Sequence, residues 1–370
     1  MSYVAIKGGE EAIGEAARLL AYLRAADQQG KPLPLTDEAV AGQLRFLHGR
    51  VLSEGGLYHP QLASLAVKQS LGDPLEASFY LRAYRSTRPR LLETPPHRGD
   101  DMRVIRRISA AFKEVPGGQV LGPTSDYALR LLRMELLQET PEELRALAEE
   151  WLDEIPAADE PLLFPKVIDG LRAEGLLPER AANREAEAFD ITREPMVFPV
   201  SRSAALAVMA RGETGALLTL AYSNMRGYGD VHPTVGELRV GYLPVLLPHP
   251  DTGEPIEAGE VLMTECEVIA MYEEEEAAGR PLFTLGYGAC FGHNETKAIS
   301  MAILDRALQK GMEKGAAHPS EDAEFVLLHV DGIDSMGFAA HYKMPHYVTF
   351  QSDLDRLRAT QAKSSAEGEK

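Results

Sequence analysis

The strand pattern that decides the fold lies in the second half of the chain. ELRVGYLPVLL spans residues 237–247, EVLMTECEVIAMY spans 260–272 and PLFTLGYGACF spans 281–291. Each is an apolar or alternating run of strand length, and turn residues separate one run from the next. GALLTLAYS at 215–223 and EFVLLHV at 324–330 have the same character. We therefore predict a largely antiparallel sheet that includes all five runs.

The first half of the chain has a helical pattern instead. After a short strand at Tyr3–Ile6, apolar residues recur at helical spacing and helix-start signals precede them. A further helix with a clean apolar stripe follows the sheet. The predicted helices are Glu10–Ala25, Thr36–Leu52, Asp73–Tyr84, Pro141–Ile155 and Asn294–Lys310. The fold class predicted is α+β, a mostly helical N-terminal region followed by a largely antiparallel β-sheet domain with packed helices.

Changes in composition divide the chain into four parts. Residues 1–157 form the helical N-terminal domain, and 158–195, rich in Ala, Glu and Pro, form a connector. Residues 196–351 form the α+β core, which contains a glycine-rich loop and a pair of histidines. Residues 352–370 form a C-terminal helix with a polar tail that we expect to be disordered.

Composition excludes several classes of protein. The 370 residues carry a formal net charge of −18, which argues against binding to nucleic acid or an anionic membrane. Two cysteines provide neither a disulfide framework nor a zinc-finger set. The N-terminus lacks the features of a signal peptide, and no apolar run approaches the length of a membrane helix. We expect a cytoplasmic protein.

Two histidines close to the C-terminus could bind a metal. His341 and His346 stand five residues apart in HYKMPHY, residues 341–347. On a helix they would diverge by about 140°, and on a strand they would point to opposite faces. Pro345 excludes a helix interior, so we predict a loop, where the two imidazoles can converge. Zinc needs at least one more protein ligand, so two unrelated loop histidines are the alternative.

The glycine-rich loop between two predicted strands is a candidate for chemistry. In SNMRGYGDVHPTVGELRVG, residues 223–241, Gly227, Gly229 and Gly236 permit close backbone approach to a ligand. Its polar side chains are Arg226, Tyr228, Asp230, His232, Glu237 and Arg239. Charged groups and a histidine on a loop between core strands are typical of a reaction site. A hairpin with a long solvated loop is the alternative.

A second turn-rich segment could hold phosphate. RISAAFKEVPGGQVLGPTSDYALRLL, residues 107–132, contains Gly117-Gly118 and then a predicted helix capped by Thr124, Ser125 or Asp126. A helix N-terminus preceded by glycine can bind an anion. No Gly-Lys-Thr/Ser follows, so this is not a Walker A motif. An ordinary structural loop is the alternative.

Local charge and a carboxylate pair complete the candidates. Residues 80–113 contain eight Arg and one Lys against one Glu and two Asp. Such a basic stretch in an acidic protein indicates a discrete anion such as polyphosphate, or an acidic partner face; a solvated helix face is the alternative. Glu265 and Glu267 share one strand face, where they could act as acid and base or line a solvated surface.

These motifs together resemble one family, subunit I of the bacterial carbon–phosphorus lyase core complex. The matching stretches, in order, are YVAIKGGEEAI, RRISAAFKEVPGGQVLGPTSDY, PVSRS, LAYSNMRGYGDVHPTVGELRVGY, LMTECE, GYGACFGHNETKAISMAILDRAL and EFVLLHVDGIDSMGFAAHYKMPHYVTFQ. They run from residue 3 to about residue 351, so the resemblance covers nearly the whole chain.

The resemblance implies a place in a complex with the G, H and J subunits, joined transiently by the L and K subunits. Proteins of this family act with Mg²⁺ and ATP on an alkylphosphonate. The phosphonate displaces adenine at C1′ and gives ribose 1-phosphonate 5-triphosphate. Subunit I is regarded as the nucleosidase component. The resemblance also implies that His341 and His346 hold Zn²⁺ at the interface with J.

Displacement of adenine makes C1′ resemble an oxocarbenium ion, so the reaction needs acid–base groups and cations. From the chemistry alone, we predict catalytic roles for Asp230, His232 and Glu237. The predicted substrate-binding residues are Arg226, Arg239, Arg106, Arg107, Gly117 and Gly118. The alternative is a scaffold subunit that completes an inter-subunit zinc site for the radical J subunit.

Overall fold

The computed structural model describes residues 9–97, 99–154, 164–178, 188–228, 233–275 and 279–368. These residues form thirteen α-helices and one sheet of four strands. The helices are α1 Glu10–Ala25, α2 Asp37–Gln43, α3 Arg45–Gly55, α4 Pro60–Gln69, α5 Pro74–Ser86, α6 Pro141–Glu154, α7 Val167–Ala173, α8 Arg202–Arg211, α9 Thr214–Ser223, α10 Glu295–Lys314, α11 Ala323–His329, α12 Gly332–Tyr342 and α13 Tyr347–Gly368. The strands are β1 Arg103–Ile108, β2 Thr234–Pro248, β3 Pro255–Glu275 and β4 Arg280–Phe291. The predicted α+β class is confirmed.

The sheet is antiparallel throughout, with strand order β1-β2-β3-β4. The three runs at 237–247, 260–272 and 281–291 lie in β2, β3 and β4, as predicted. The first strand comes from the N-terminal region, which we predicted to be mostly helical and where no strand was predicted at residues 103–108. Its sequence, RVIRRI, contains three arginines in six residues, so it lacks the apolar alternation that marks a strand.

Two runs that we predicted as strands are helices. Residues 215–223 lie in α9, and residues 324–329 lie in α11. Each helix begins at an acidic cap that the prediction overlooked. The Glu213 carboxylate accepts from two backbone N–H groups at 2.7–2.8 Å, and the Asp322 carboxylate does so at 2.9–3.1 Å. Short apolar runs fit a buried helix and a buried strand equally, so the cap decides.

Two predicted helices need correction, and one predicted strand lies outside the described residues. The predicted helix after Asp126 is absent; the chain makes turns there until a short 3₁₀ segment at Met134–Gln138. The predicted helix from Thr36 to Leu52 is two helices, which meet at Leu44. The strand predicted at Tyr3–Ile6 lies outside the described residues.

The main core forms where α10 crosses the face of β3 and β4. Asn294 caps this helix by accepting from the Lys297 N–H at 3.1 Å. A Cβ added at Gly288 would lie 2.2 Å from the Ala298 carbonyl oxygen, and one at Gly286 would lie 2.0 Å from that of Ala302. The two glycines therefore let the helix backbone rest directly on β4.

A second core joins the helical region to the sheet. Residues of α3, α4 and α5 pack together around Val51, Leu52, Val67 and Leu81, and Phe291 of β4 packs against them. Among the described residues, no helix is both long and apolar enough to cross a membrane.

We expect Gly288→Ala to destabilise the protein by about 1–3 kcal/mol, because the new methyl group must push α10 away from β4. Urea unfolding checks the free energy. Gly14→Ala is the matched control: Gly14 lies inside α1 with open space around it, so the same change should be neutral or slightly stabilising. Equal stability of the two variants would contradict the direct helix–sheet contact.

Candidate functional site

A histidine and a glutamate lie at the start of α10, next to the central part of β1. Two glycines position them. A Cβ at Gly49 would lie 2.9 Å from the His293 backbone nitrogen, and one at Gly292 would lie 2.6 Å from the Gly49 Cα. Gly292 also has a positive φ of 74°, a conformation that glycine adopts without strain. The backbones of α3 and of the α10 start are therefore in direct contact.

The His293 and Glu295 side chains form a chain of polar contacts with Arg106. His293 Nε2 lies 2.7 Å from Glu295 Oε1, and Arg106 Nε donates to the same oxygen at 2.6 Å. Arg106 also pairs with Asp126 and donates to the Leu121 carbonyl at 2.5 Å. These contacts join β1, the turn-rich segment and α10 in one cluster.

The proton positions follow from the charges. Burial raises the pKa of Glu295, but the hydrogen bonds from His293 and Arg106 outweigh burial and leave the pKa below its ordinary value. Glu295 is therefore an ionised carboxylate that can only accept, so His293 Nε2 must donate to it. His293 Nδ1 is buried and has no hydrogen-bond partner among the described residues. Nδ1 is therefore the ring nitrogen that no described protein group engages.

The cluster borders a cavity of about 320 Å³. Besides His293, Glu295 and Asp126, its lining includes Arg50 and the aromatic ring of Phe46. The Phe46 and His293 rings meet edge to face with centroids 5.0 Å apart. The cavity thus combines an imidazole, two carboxylates, an arginine and an aromatic face, a combination suited to acid–base chemistry on a polar ring-containing ligand.

A buried ionic network occupies the opposite face of the sheet. Arg107 Nε donates to Glu237 Oε1 at 2.5 Å, and the other Glu237 oxygen accepts from the Val167 N–H at 3.1 Å. Arg107 also donates to the carbonyls of Pro116 and Gly118 at 2.6 and 3.1 Å. Arg107 and Glu237 are at most 2% exposed, so the pair is fully inside the fold.

The same network continues across β3 and β4. Arg239 Nε donates to Glu265 at 2.9 Å, and Lys166 Nζ lies 2.9 Å from Glu265 and 3.2 Å from Glu267. Burial raises the pKa of Glu265, but Lys166 and Arg239 lower it below its ordinary value. Burial raises the pKa of Glu267 to about 7, and the charge of Glu265 adds to this effect. The Tyr287 hydroxyl donates to Glu265 at 3.2 Å.

The structure separates the residues predicted to bind substrate. Arg107 and Arg239 are 0% exposed and are saturated by protein acceptors, and Glu237 is held between Arg107 and α7. Their contacts are those of a structural network. Arg106 points to the other face and takes part in the cluster at the cavity. Arg226 is exposed and stacks on the Tyr222 ring, with its guanidinium carbon 5.7 Å from the ring centroid.

Of the remaining predicted residues, the structure describes two glycines and does not describe Asp230 and His232. Gly117 and Gly118 both have positive φ and form a turn whose Gly118 carbonyl faces Arg107, so this segment holds an arginine in the described structure. Asp230 and His232 lie outside the described residues. Their predicted catalytic roles stay predictions.

The sequence analysis missed His293, Glu295 and Lys166. The first two lie in FGHNET, directly before and at the start of a helix that was predicted correctly. A histidine beside a capping asparagine was the available signal. No sequence pattern indicates that Glu295 contacts Arg106, because the two residues are 189 positions apart in the chain.

The two C-terminal histidines do converge. His341 Nε2 lies 3.1 Å from His346 Nε2. His341 belongs to the last turn of α12, not to the predicted loop, and His346 precedes α13. The intervening residues 343–346 are non-helical, and they turn the chain so that the rings face each other.

The Nε2 atoms of this histidine pair are suited to binding one metal ion. His346 Nδ1 lies 2.6 Å from the Met344 carbonyl, so it carries the proton and leaves the Nε2 lone pair free. Two nitrogens bound to one tetrahedral zinc lie about 3.3 Å apart, close to the separation found here. Within the described part of the chain, no group of three metal-ligating side chains exists. Further ligands would have to come from elsewhere.

Comparisons with known proteins show the family to which this chain belongs. A family model described as bacterial phosphonate metabolism protein (PhnI) matches residues 2–364. A putative C-P lyase subunit protein, HtxH, from Stutzerimonas stutzeri is 67% identical over 367 residues, which cover 99% of this chain and 98% of that protein.

Two further relatives carry the same functional name, alpha-D-ribose 1-methylphosphonate 5-triphosphate synthase subunit PhnI. The one from Rhizobium meliloti strain 1021 is 43% identical over 96% of this chain and 94% of its own length. The one from Escherichia coli K12 is 43% identical over 97% of this chain and 98% of its own length. The chain belongs to the PhnI family of bacterial phosphonate metabolism proteins, and the resemblance seen in the sequence is confirmed.

The raised pKa of Glu267 predicts a pH-dependent stability. A carboxyl that holds its proton more tightly when folded stabilises the protein below its ordinary pKa, and this contribution is lost as pH rises towards about 7. Glu267→Gln keeps the neutral form at every pH. Relative to the parent, we expect this variant to gain about 1–3 kcal/mol more unfolding free energy at pH 8 than at pH 5.

Urea unfolding at both pH values measures this difference. Glu257→Gln, an exposed position on the same strand, is the control and should change stability by no more than about 0.5 kcal/mol at either pH. A gain from Glu267→Gln that is the same at pH 5 and pH 8 would contradict the account of this buried carboxyl.

Proposed function

We propose that this chain is a subunit of a carbon–phosphorus lyase complex that transfers the ribose 5-triphosphate of MgATP to an alkylphosphonate and releases adenine. Family membership over almost the full length is the observation that carries this proposal. Two relatives named as subunits of alpha-D-ribose 1-methylphosphonate 5-triphosphate synthase support the reaction. The nucleosidase step at C1′ is the role that the family resemblance implies, and we include it in the proposal.

We assign the acid–base work to His293. Departure of adenine from C1′ leaves negative charge on the purine, which a protonated imidazole can neutralise. Glu295, ionised and bonded to Nε2, holds the imidazole in place. Nδ1 is then the atom that passes a proton to the leaving base. The Phe46 ring beside His293 supplies an aromatic surface for that base.

Charged groups around the cavity support binding of the remaining substrate groups. Arg106 is held by Glu295 and Asp126, and Arg50 is held by Glu54 at 2.7 Å and by Glu213. Because these arginines are paired, a triphosphate would bring its own Mg²⁺, and the partly exposed Asp126 carboxylate is suited to a hydrated magnesium ion. Arg226, with Asp230 and His232 beside it in sequence, stays a predicted contributor.

We also propose that His341 and His346 contribute two ligands to a Zn²⁺ shared with a partner subunit. The 3.1 Å separation of their Nε2 atoms and the lack of a third described ligand support this. A bound zinc ion would supply Lewis acidity towards an oxygen ligand. The two histidines themselves hold the ion and fix its position relative to α12.

Exposed apolar side chains support assembly with other subunits, for which we propose G, H and J, with L and K joining transiently. Helix α1 buries none of its residues, and the segment from Tyr127 to Leu152 is exposed throughout despite many large apolar side chains. Phe338, Tyr342 and Phe350 are exposed around the histidine pair. Surfaces of this kind usually mark protein–protein contacts.

The histidine pair also favours a second candidate function, a scaffold role. If the partner supplies the remaining ligands, the zinc site could serve chemistry on the partner, and this chain would then position the metal without cleaving the nucleotide. Release of adenine from MgATP by the purified chain, or by its complex with inactive partner residues, separates the two functions.

The acid–base assignment predicts that His293→Gln lowers adenine release by the assembled complex about 100-fold or more. Glutamine can still donate to Glu295, so the fold should be retained. Liquid chromatography of released adenine, with ³¹P NMR of the ribose phosphonate product, measures the rate. Thermal unfolding of the same sample verifies the fold.

His329→Gln is the matched control, because His329 is an exposed histidine on α11 outside the cavity. It should leave the rate within about twofold. Normal adenine release by His293→Gln would contradict the role of His293. A parent complex that never releases adenine would contradict the proposed function itself.

We expect His341→Ala and His346→Ala each to remove most of the zinc from the purified complex. Either substitution leaves this chain with only one of its two proposed zinc ligands. Metal analysis by mass spectrometry gives the content directly and does not depend on activity. His329→Ala serves as control and should keep the parent zinc content. Full zinc occupancy in both ligand variants would contradict the site.

A further inference from the structure

A second cavity, of about 670 Å³, lies where α5 and α8 end and shares no lining residue with the one at α10. We call it the arginine cavity. Among the described residues, its lining contains no carboxylate and six arginines: Arg82, Arg85, Arg88, Arg90, Arg193 and Arg211. In a chain of formal net charge −18, this is a strong local concentration of positive charge.

Three of these arginines are committed to protein contacts. Arg82 binds Asp331 at 2.7 Å and donates to the Arg211 carbonyl at 2.7 Å. Arg90 pairs with Asp190 at 2.6 Å, and Arg193 pairs with Glu93 at 3.2 Å. These contacts hold the walls of the cavity in place.

The other three, Arg85, Arg88 and Arg211, have guanidinium N–H groups that can donate hydrogen bonds to a ligand. Arg85 makes one hydrogen bond, to the Gly56 carbonyl at 2.6 Å, and Arg88 stacks on the Tyr84 ring. Within the described residues, neither forms an ion pair with a carboxylate. Arg211 reaches Asp331 only at 3.6 Å, and its buried Nε has no partner in the described part of the chain. Burial and the charge of Arg211 lower the pKa of Arg85, and the opposing charge of Asp190 does not outweigh them.

The arginine cavity continues into an apolar pocket of about 180 Å³. The two share Arg85, Ile191 and Arg211. The rest of the pocket is mainly apolar and includes Ala207, Ala210, Met263, Ala289, Cys290 and Phe291. An apolar cavity of about 150 Å³ is large enough to hold benzene. A ligand that fills both spaces therefore has an anionic end and an apolar end.

We propose that this double cavity binds a phosphoryl dianion that carries a small apolar group. Arg85, Arg88 and Arg211 would bind the oxygens, because guanidinium groups match phosphate and phosphonate geometry. The apolar pocket would take the substituent. Organophosphonates and phosphate monoesters share this chemistry. The proposal does not depend on the chemistry assigned to His293, because the two sites have separate linings.

Calorimetric titration of the purified full-length chain tests the proposal with phenylphosphonate, phenyl phosphate and inorganic phosphate. We expect the two phenyl compounds to bind about tenfold or more tightly than phosphate, since the ring adds apolar burial. The tighter of the two phenyl compounds identifies whether the site takes phosphonates or phosphate monoesters. Absence of binding by either phenyl compound at millimolar concentration would overturn the proposal.

Two variants separate the halves of the site. Arg88→Gln should weaken all three compounds about tenfold, because it removes a charged donor that has no structural ion pair. Ala207→Leu should weaken the phenyl compounds about tenfold and leave phosphate within about twofold, because the larger side chain fills the apolar pocket. Arg356→Gln, an exposed arginine on α13, is the control and should change nothing.

Unchanged binding in both Arg88→Gln and Ala207→Leu would overturn the assignment of the ligand to this place. His293→Gln should bind the phenyl compounds normally while it loses adenine release. Loss of phenylphosphonate binding in His293→Gln would contradict the independence of the two sites. Failure of the parent complex to release adenine would refute the transferase proposal and leave this one standing.

Discussion

Direct contact between the backbone of α10 and the backbone of β4 is the constraint on which the rest of the structure depends. Only glycine at positions 286 and 288 permits it, because a Cβ at either would lie about 2 Å from a helix carbonyl. This contact fixes the axis of α10 over the sheet. The start of the helix, with His293 and Glu295, is thereby held beside the Arg106 side chain on β1.

The sheet in turn gives two neighbouring arginines different environments. Arg106 and Arg107 follow one another on β1, so their side chains point to opposite faces. Arg107 enters a network of buried ion pairs, where removal of one partner typically costs about 3–5 kcal/mol. Arg106 joins the cluster that borders the cavity. One strand therefore carries one arginine of the buried ionic network and one arginine at the border of the cavity, and composition alone does not distinguish them.

Much of the fold could be predicted from the sequence, because β2, β3 and β4 are long runs between turns and α10 has a clean apolar stripe. The failures have physical causes. β1 is rich in arginine because it supplies charge to both faces, so it lacks the alternation of a strand. The runs of α9 and α11 are apolar and short, and only their acidic caps show that they are helices.

The candidate site was predictable only where its residues are close in sequence. The approach of His341 to His346 followed from the proline between them, although His341 is helical. Glu237 looked catalytic because it sits in a glycine-rich stretch, whereas its contacts to Arg107 and α7 bury it. The pairing of Glu295 with Arg106 depends on the tertiary packing of α10, which no local pattern reveals. The arginine cavity likewise combines residues from distant segments.

The central claim is that the cavity at α10 carries the chemistry, whereas the buried ionic network on the opposite face of the sheet stabilises the fold. Parallel measurement of Glu295→Gln and Glu237→Gln tests it most directly, with adenine release by the assembled complex and urea unfolding recorded for both. We predict that Glu295→Gln loses most of the adenine release and loses less stability than Glu237→Gln, because Asp126 still pairs with Arg106. Glu237→Gln should lower the free energy of unfolding by about 3 kcal/mol while the folded fraction keeps its turnover. The reverse pattern, an inactive but stable Glu237→Gln and an active Glu295→Gln, would contradict the account.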